Sequence, residues 1–346
     1  MIACRKQPGA FSIAIVLALA VGAPRARASE FGPASPGNRN VRDFFVPDPG
    51  FYFVGYGVYY TTDTLTDSNG NKVKQIDLQA PGGPAVPLGF KANLDLFVLA
   101  PTLAWVAPWD ILGGHLGFLI TPTFGNTSSK VTTNFRDELT QTDSQSQFNV
   151  GDLYVQPVWL GWSPQHFDLE ISYGFFAPVG AYDVETVTIP RLGIQLERPA
   201  FDNVGEGFWT HQFQGGVAVY PFDTKATGIS AAFAYALHGE RSGLHVTPGS
   251  DVTLDWAITQ YLPLASDRSM LLDLGPTGDS QWQVTDDTGS GATPGSSHGQ
   301  LHSVGGEVGF TYVPWSADLK VRYTDDVAAE NRFKGQTVAV SIGAKL

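Results

Sequence analysis

Histidine, serine and carboxylate side chains are where chemistry could begin, and their spacing supports little of it. The seven histidines (His115, His166, His211, His238, His245, His298, His302) are scattered. His298 and His302 stand four apart, but in a Gly/Ser-rich stretch with no acidic partner at metalloprotease spacing, so no metal motif forms. No Gly-x-Ser-x-Gly elbow is present to expose a nucleophilic serine. Asp67-Ser68-Asn69-Gly70-Asn71 hints at a calcium loop. It lacks the glycine and the bidentate glutamate at the required offsets and reads better as an exposed Asn-Gly turn. The single cysteine, Cys4, provides neither a disulfide nor a thiol site. The expectation is therefore no catalytic residue, no metal and no cofactor. Carboxylates dominate instead: 33 Asp+Glu against 21 Lys+Arg, net charge −12, a balance that argues against a nucleic-acid partner.

The elements that position these groups begin after a leader. Arg5 and Lys6 precede an apolar run from Phe11 to Ala23, and Ala26-Arg27-Ala28 gives a small-x-small cleavage site. Residues 1–28 thus read as a secretory signal peptide, too short in its apolar part to span a bilayer. Cys4 leaves with it, so the exported chain must be stable without disulfides.

Beyond the leader the recurring period is two, the mark of strands with two different faces. Ala317, Leu319, Val321 and Tyr323 point one way while Asp318, Lys320, Arg322 and Thr324 point the other. Leu169, Ile171 and Tyr173 oppose Asp168 and Glu170 in the same manner. Twelve such stretches can be counted, near 50–61, 92–106, 111–124, 146–162, 167–177, 208–220, 227–238, 251–262, 269–284, 301–313, 316–325 and 335–346. Most are near the ~10 residues a tilted strand needs to cross a bilayer. Links after the even-numbered stretches are short and hold Pro108, Pro164, Pro221, Pro263 or Pro314. Most links after odd-numbered ones are long and rich in Gly, Asp, Ser and Thr. Short turns at one end and long loops at the other are the pattern of an all-β, antiparallel transmembrane barrel of the Gram-negative outer membrane. Trp105, Trp109, Trp159, Trp162, Tyr220, Tyr261, Tyr312 and Trp315 gather at the short-turn end, where an interfacial girdle belongs. A soluble β-sandwich would alternate too, but the leader and this one-sided aromatic rim weigh against it.

A charge facing lipid near the midplane costs roughly 2–4 kcal/mol, so the polar face must line the lumen. The expected lumen residues are Asp95, His115, Asp152, Asp168, Glu170, Asp255, Asp273, Glu307, Asp318, Lys320 and Arg322, with Lys320 and Arg322 able to pair with carboxylates such as Asp168 and Glu170. Twelve strands fall between small filled barrels and open 16–18-stranded porins, which predicts a narrow or partly plugged pore. Residues 29–49, carrying Arg39 and Arg42, are either an inward-folding plug or a periplasmic tail. An outer-membrane lipase would need a His and a Ser together on the lipid side of a strand. The nearest pair, His238 and Ser242, lies in a loop-like Gly-Glu-Arg-Ser-Gly context.

Several blocks, taken in order, resemble a known family. They are Pro47-Asp48-Pro49-Gly50-Phe51-Tyr52 to Tyr60, the Asp-Ser-Asn-Gly of 67–70, and Gly151-Asp152-Leu153-Tyr154-Val155-Gln156-Pro157 to Trp162. Tyr173-Gly174-Phe175-Phe176-Ala177-Pro178-Val179-Gly180 to Asp183, Asn203-Val204-Gly205-Glu206-Gly207-Phe208-Trp209-Thr210, and Gln283 to Gly291 complete the set. Together they look like the outer-membrane "meta-pathway of phenol degradation" transporters. The resemblance spans 47–346 and departs around Gly275-Pro276 and in Val187–Arg198. It implies an outer-membrane barrel passing small hydrophobic or aromatic compounds, and it carries over no catalytic residue. A non-conducting surface protein whose acidic loops bind a partner or lipopolysaccharide through divalent cations is the other expectation.

Overall fold

The computed structural model describes residues 44–79, 85–135, 139–189, 194–200, 203–292 and 298–346. The expected leader and most of the 29–49 segment lie outside the described residues. Seventeen strands follow in order: β1 (Gly50–Leu65), β2 (Gln75–Gln79), β3 (Ala85–Ile111), β4 (Gly114–Thr121), β5 (Phe124–Phe135), β6 (Leu139–Val150), β7 (Leu153–Trp162), β8 (Phe167–Ala177), β9 (Val184–Ile189), β10 (Ile194–Pro199), β11 (Thr210–Val219), β12 (Thr227–His238), β13 (Asp251–Pro263), β14 (Met270–Gln283), β15 (Gln300–Tyr312), β16 (Ala317–Glu330) and β17 (Phe333–Lys345). No helix among the described residues is long and apolar enough to cross a membrane. The strands do the crossing.

Twelve of them close a ring, β1-β17-β16-β15-β14-β13-β12-β11-β8-β7-β4-β3, with β3 returning to β1 through the register Gly50↔Val106 to Thr62↔Leu94. Closure matters because lipid offers no partner to an exposed ladder edge. β3 is 27 residues long: near its end it pairs with β4, and over Gly89–Leu99 it pairs with β5. β4 and β5 are thus one strand bent at residues 122–123, and β6 and β7 form another broken at Gly151-Asp152. The upper halves, β5 and β6, rise as a hairpin above the ring. Of the stretch Val187 to Arg198, unplaced by sequence, the described residues pair as the antiparallel strands β9 and β10 in the long 178–207 loop.

The two faces follow the alternation. Phe213, Ile229, Phe233, Ile258, Val308, Phe310, Leu319 and Ile342 are exposed large apolar side chains, as a lipid-facing wall requires. Their sequence neighbours Gln212, Ser230, Ala232, Ala257, Lys320 and Ser341 are buried. At the short-turn rim Phe51, Trp105 and Trp109 stack in a chain, with centroids 6.4 and 5.7 Å apart, and Tyr312 meets Trp315 at 5.3 Å. Three expected girdle members turn inward instead. A register shift between Val155 and Val158 swings Trp159 to the lumen side, where it is buried. Tyr220 continues the inward face of β11 and its hydroxyl binds Asp168, while Tyr261 stands opposite inward-facing Asp273.

Candidate functional site

The lumen is two-sided. Along β13–β16 its wall is charged and closely packed. Asp251 Oδ1 takes Gln281 Nε2 at 3.2 Å, Arg322 lies 3.6 Å from Asp279, and Asp326 accepts Ser303 Oγ at 2.7 Å and the Gly335 amide at 2.7 Å. Arg332 reaches the Gln281 carbonyl from the external hairpin. Asp251, Asp255, Asp273, Asp279, Arg322 and Asp326 are all buried, which is affordable only because charge and hydrogen bonds meet there.

The wall of β1 and β3 is different. The inward face of β3 reads Phe90, Ala92, Leu94, Leu96, Val98 and Ala100, and that of β1 reads Val54, Tyr56 and Val58. Val54, Tyr56, Leu94, Leu96 and Val98 are only half-buried, so space remains in front of them. At the external end this strip joins a cluster of Leu65, Val73, Ile76, Phe90, Ala92 and Val131, covered by Phe333. In ring order β13 stands directly opposite β3, so an apolar strip faces an acidic wall.

The periplasmic end of the strip is stoppered. Phe44 and Val46 are buried inside the ring, and Trp159 Nε1 donates to the Phe44 carbonyl at 2.7 Å. Val46 packs with Ala104, Val106, Leu119, Tyr154 and Trp159. It sits so close to Gly161 that a Cβ there would fall 2.6 Å from its Cγ2. The Tyr52 hydroxyl then holds the Asp48 carbonyl at 2.6 Å as the chain enters β1. Residues 44–49 therefore turn into the lumen. Their apolar character, hidden in a Phe-Phe-Val run before two prolines, was the signal available in the sequence.

The expected lumen residues distribute as follows. Glu170, Asp255, Asp273, Glu307, Asp318, Lys320 and Arg322 take inward registers. Asp168 is inward too, but at the periplasmic rim, bound to the Tyr220 hydroxyl and 3.4 Å from Lys225. The suggested Asp168–Lys320 pairing does not occur. β8 and β16 are six places apart in the ring, and twelve tilted strands at ~4.8 Å spacing give a diameter of about 24 Å, beyond side-chain reach. Lys320 instead lies 3.6 Å from Asp318. His115 lies at the β3–β4 turn, 2.9 Å from Asp110. Asp152 sits at the β6–β7 break, buried, accepting the Gly180 amide at 3.1 Å and the Glu206 amide at 3.0 Å, and so ties both ends of the 178–207 loop to the wall.

Asp95 is a correction. It pairs with Thr61 on the outward face, and its carboxylate takes the Thr61 hydroxyl at 2.7 Å and the Tyr59 hydroxyl at 3.0 Å. The rule that charge faces inward holds only across the lipid band, and Asp95 faces outward in a polar part of the wall, with Thr61 and Ser128 as its ladder partners. A cavity of about 650 Å³ opens there, lined among others by Thr61, Asp63, Lys72, Asp95, Asp325, Lys334 and Gln336.

His238 and Ser242 form no dyad. The imidazole is engaged by Thr210 Oγ1 at 2.9 Å and Asp251 Oδ2 at 2.9 Å, whereas Ser242 is exposed and its amide binds the Gly207 carbonyl. Among the described residues no group of three or more His, Cys, Asp or Glu is placed to hold a metal ion.

A solved structure shows the same fold. The COG4313 outer membrane channel from Pseudomonas putida F1 superposes with a TM-score of 0.57 at 15% identity, covering 90% of this chain and 100% of that one. The β-domain of the Bordetella autotransporter BrkA (TM-score 0.45, 10% identity, 86% and 100% coverage) and a Pseudomonas aeruginosa FadL homologue (0.33, 10%, 92% and 95%) are more distant barrels. No curated protein matches the sequence. The model of the family described as "Putative MetA-pathway of phenol degradation" matches residues 62–342, most of the ring from β1 to β17, and the chain belongs to that family.

Proposed function

We propose that this barrel is an outer-membrane channel for small, largely apolar solutes, aromatic ones included, which enter at the external mouth and move along the inner face of β3. The observation that carries the reading is the half-buried strip Leu94, Leu96 and Val98 with Val54 and Tyr56 beside it, open on the side where the opposite wall is packed and acidic. An aromatic solute lying on that strip removes apolar surface from water at roughly 25 cal/mol per Å², and gains nothing from the charged wall. The family's description by a phenol-degradation pathway favours aromatic cargo, and the fold shared with an outer membrane channel of Pseudomonas putida favours a channel. Phe44 and Val46, held by Trp159, form the gate at the periplasmic end, and passage needs them to move. The leader directs the chain to the membrane where this works.

The test is the Leu96→Asp variant in a planar bilayer. A carboxylate on the strip should abolish interruption of the ion current by phenol while the barrel keeps its heat-modifiable migration. Phenol block of unchanged depth and affinity in a folded Leu96→Asp barrel would refute the route.

A further inference from the structure

The outer wall changes character between two successive rows of the ladder. Tyr323, Val338, Tyr59 and Phe97 are neighbours across β16, β17, β1 and β3, all exposed and facing out. Two residues further toward the external side, the corresponding row is Asp325, Gln336, Thr61 and Asp95. The step is from an aromatic-apolar row to a polar one with nothing between, and aromatic side chains belong at the level of the headgroups.

Directly above that step lies the 650 Å³ concavity. Two ammonium groups overhang it from separate elements. Lys72 comes from the loop after β1 and lies 3.0 Å from Asp63, and Lys334 comes from β17, with one N–H on the Val327 carbonyl at 2.8 Å. An ammonium has three donors, so each retains others to offer. Register shifts between Thr61 and Thr64 in β1 and at His302/Ser303 in the β15–β16 pair recess the wall at this height. Lys91 and Lys130 extend the basic edge across β3 and β5, exposed on the same outward face. Asp63, Asp95, Asp325 and Asp326 share the lining with Lys72 and Lys334, so the recess offers ammonium donors and carboxylate acceptors side by side.

We infer that the recess is a docking site for the phosphorylated glucosamine headgroup of lipopolysaccharide. Lys72 and Lys334 would take a phosphate, while Asp95, Asp325 and Gln336 accept from or donate to the sugar hydroxyl and amide groups. A plain phospholipid offers the phosphate without the sugar donors, so the carboxylates on the floor of the recess distinguish the two. The inference rests on the outer-membrane placement and is independent of what passes through the lumen.

The experiment measures binding of lipid A to the refolded full chain by competition against fluorescently labelled lipopolysaccharide in detergent. The Lys72→Met/Lys334→Met double variant, which keeps the aliphatic stems, should weaken binding about tenfold. Lys345→Gln at the periplasmic rim should leave it unchanged. Asp95→Ala/Asp325→Ala should weaken lipid A and leave phosphatidic acid, which has the phosphate and no headgroup hydroxyl and is the weaker competitor throughout, unaffected. Heat-modifiable migration reports folding of each variant. Equal binding by the lysine double variant, or phosphatidic acid competing as well as lipid A, would overturn the inference. Conductance measured on the same samples reports on the channel separately, so either reading can fail alone.

Discussion

Replacing Trp159 with phenylalanine tests the gate with a small and calculable perturbation. The indole donates to the Phe44 carbonyl at 2.7 Å inside the ring, and phenylalanine keeps most of the ring packing against Val46 while losing that donor. A buried hydrogen bond of this kind contributes about 1 kcal/mol net, more when the abandoned acceptor stays dry. One kcal/mol corresponds to about a fivefold change in an equilibrium, so the population with the segment released should rise about fivefold. Gly161→Ala approaches the same contact from the other side. Its Cβ would fall 2.6 Å from Val46 Cγ2 and 3.4 Å from the Val46 amide nitrogen, too close for the segment to stay seated. Both variants should raise single-channel open probability in planar bilayers without changing the conductance of the open state, because neither alters the strip above. Folded Trp159→Phe and Gly161→Ala proteins with wild-type open probability would refute the reasoning and leave residues 44–49 a passive lining.

Other consequences follow from single contacts. Asp152→Ala takes the acceptor from two part-buried amides, those of Gly180 and Glu206, at about 1 kcal/mol each; limited proteolysis should then cut the 178–207 loop first, and an uncleaved loop would contradict the assigned tether. Phe233→Arg places a charge on the lipid face of β12 and should cost about 2–4 kcal/mol in reversible folding into vesicles if that residue lies near the midplane. Asp95→Leu, on the outward face beyond the band, should leave ion selectivity unchanged, measured as a reversal potential, because it borders no lumen.

Most of the ring was legible because lipid enforces it. A residue pointing the wrong way in β12 or β16 would carry several kcal/mol, so the alternation of Leu319 and Val321 with Lys320 and Arg322 survives in the sequence as period two. Asp251 and Asp279 share that face with Asp255 and Asp273 and could have been read by the same rule. What period two cannot report is a break in register. Trp159 reads as a girdle residue until the shift at Val155/Val158 turns it inward. Asp95 fails for another reason: both faces of Leu94–Leu99 are largely apolar, so the lone carboxylate looked like the lumen side. The register puts Asp95 opposite outward-facing Thr61, and the inner face is the one that stays apolar. The stopper of Phe44 and Val46 was invisible to pattern because six residues have no period, and only their fit against Trp159 and Gly161 identifies it.

The most direct measurement is the ion current through single refolded channels titrated with phenol and, separately, with glucose. The account predicts current steps that phenol interrupts in a concentration-dependent manner and that glucose leaves untouched, with interruptions more frequent once Trp159→Phe loosens the gate. Current indifferent to phenol, or equally sensitive to glucose, would contradict an apolar path along β3.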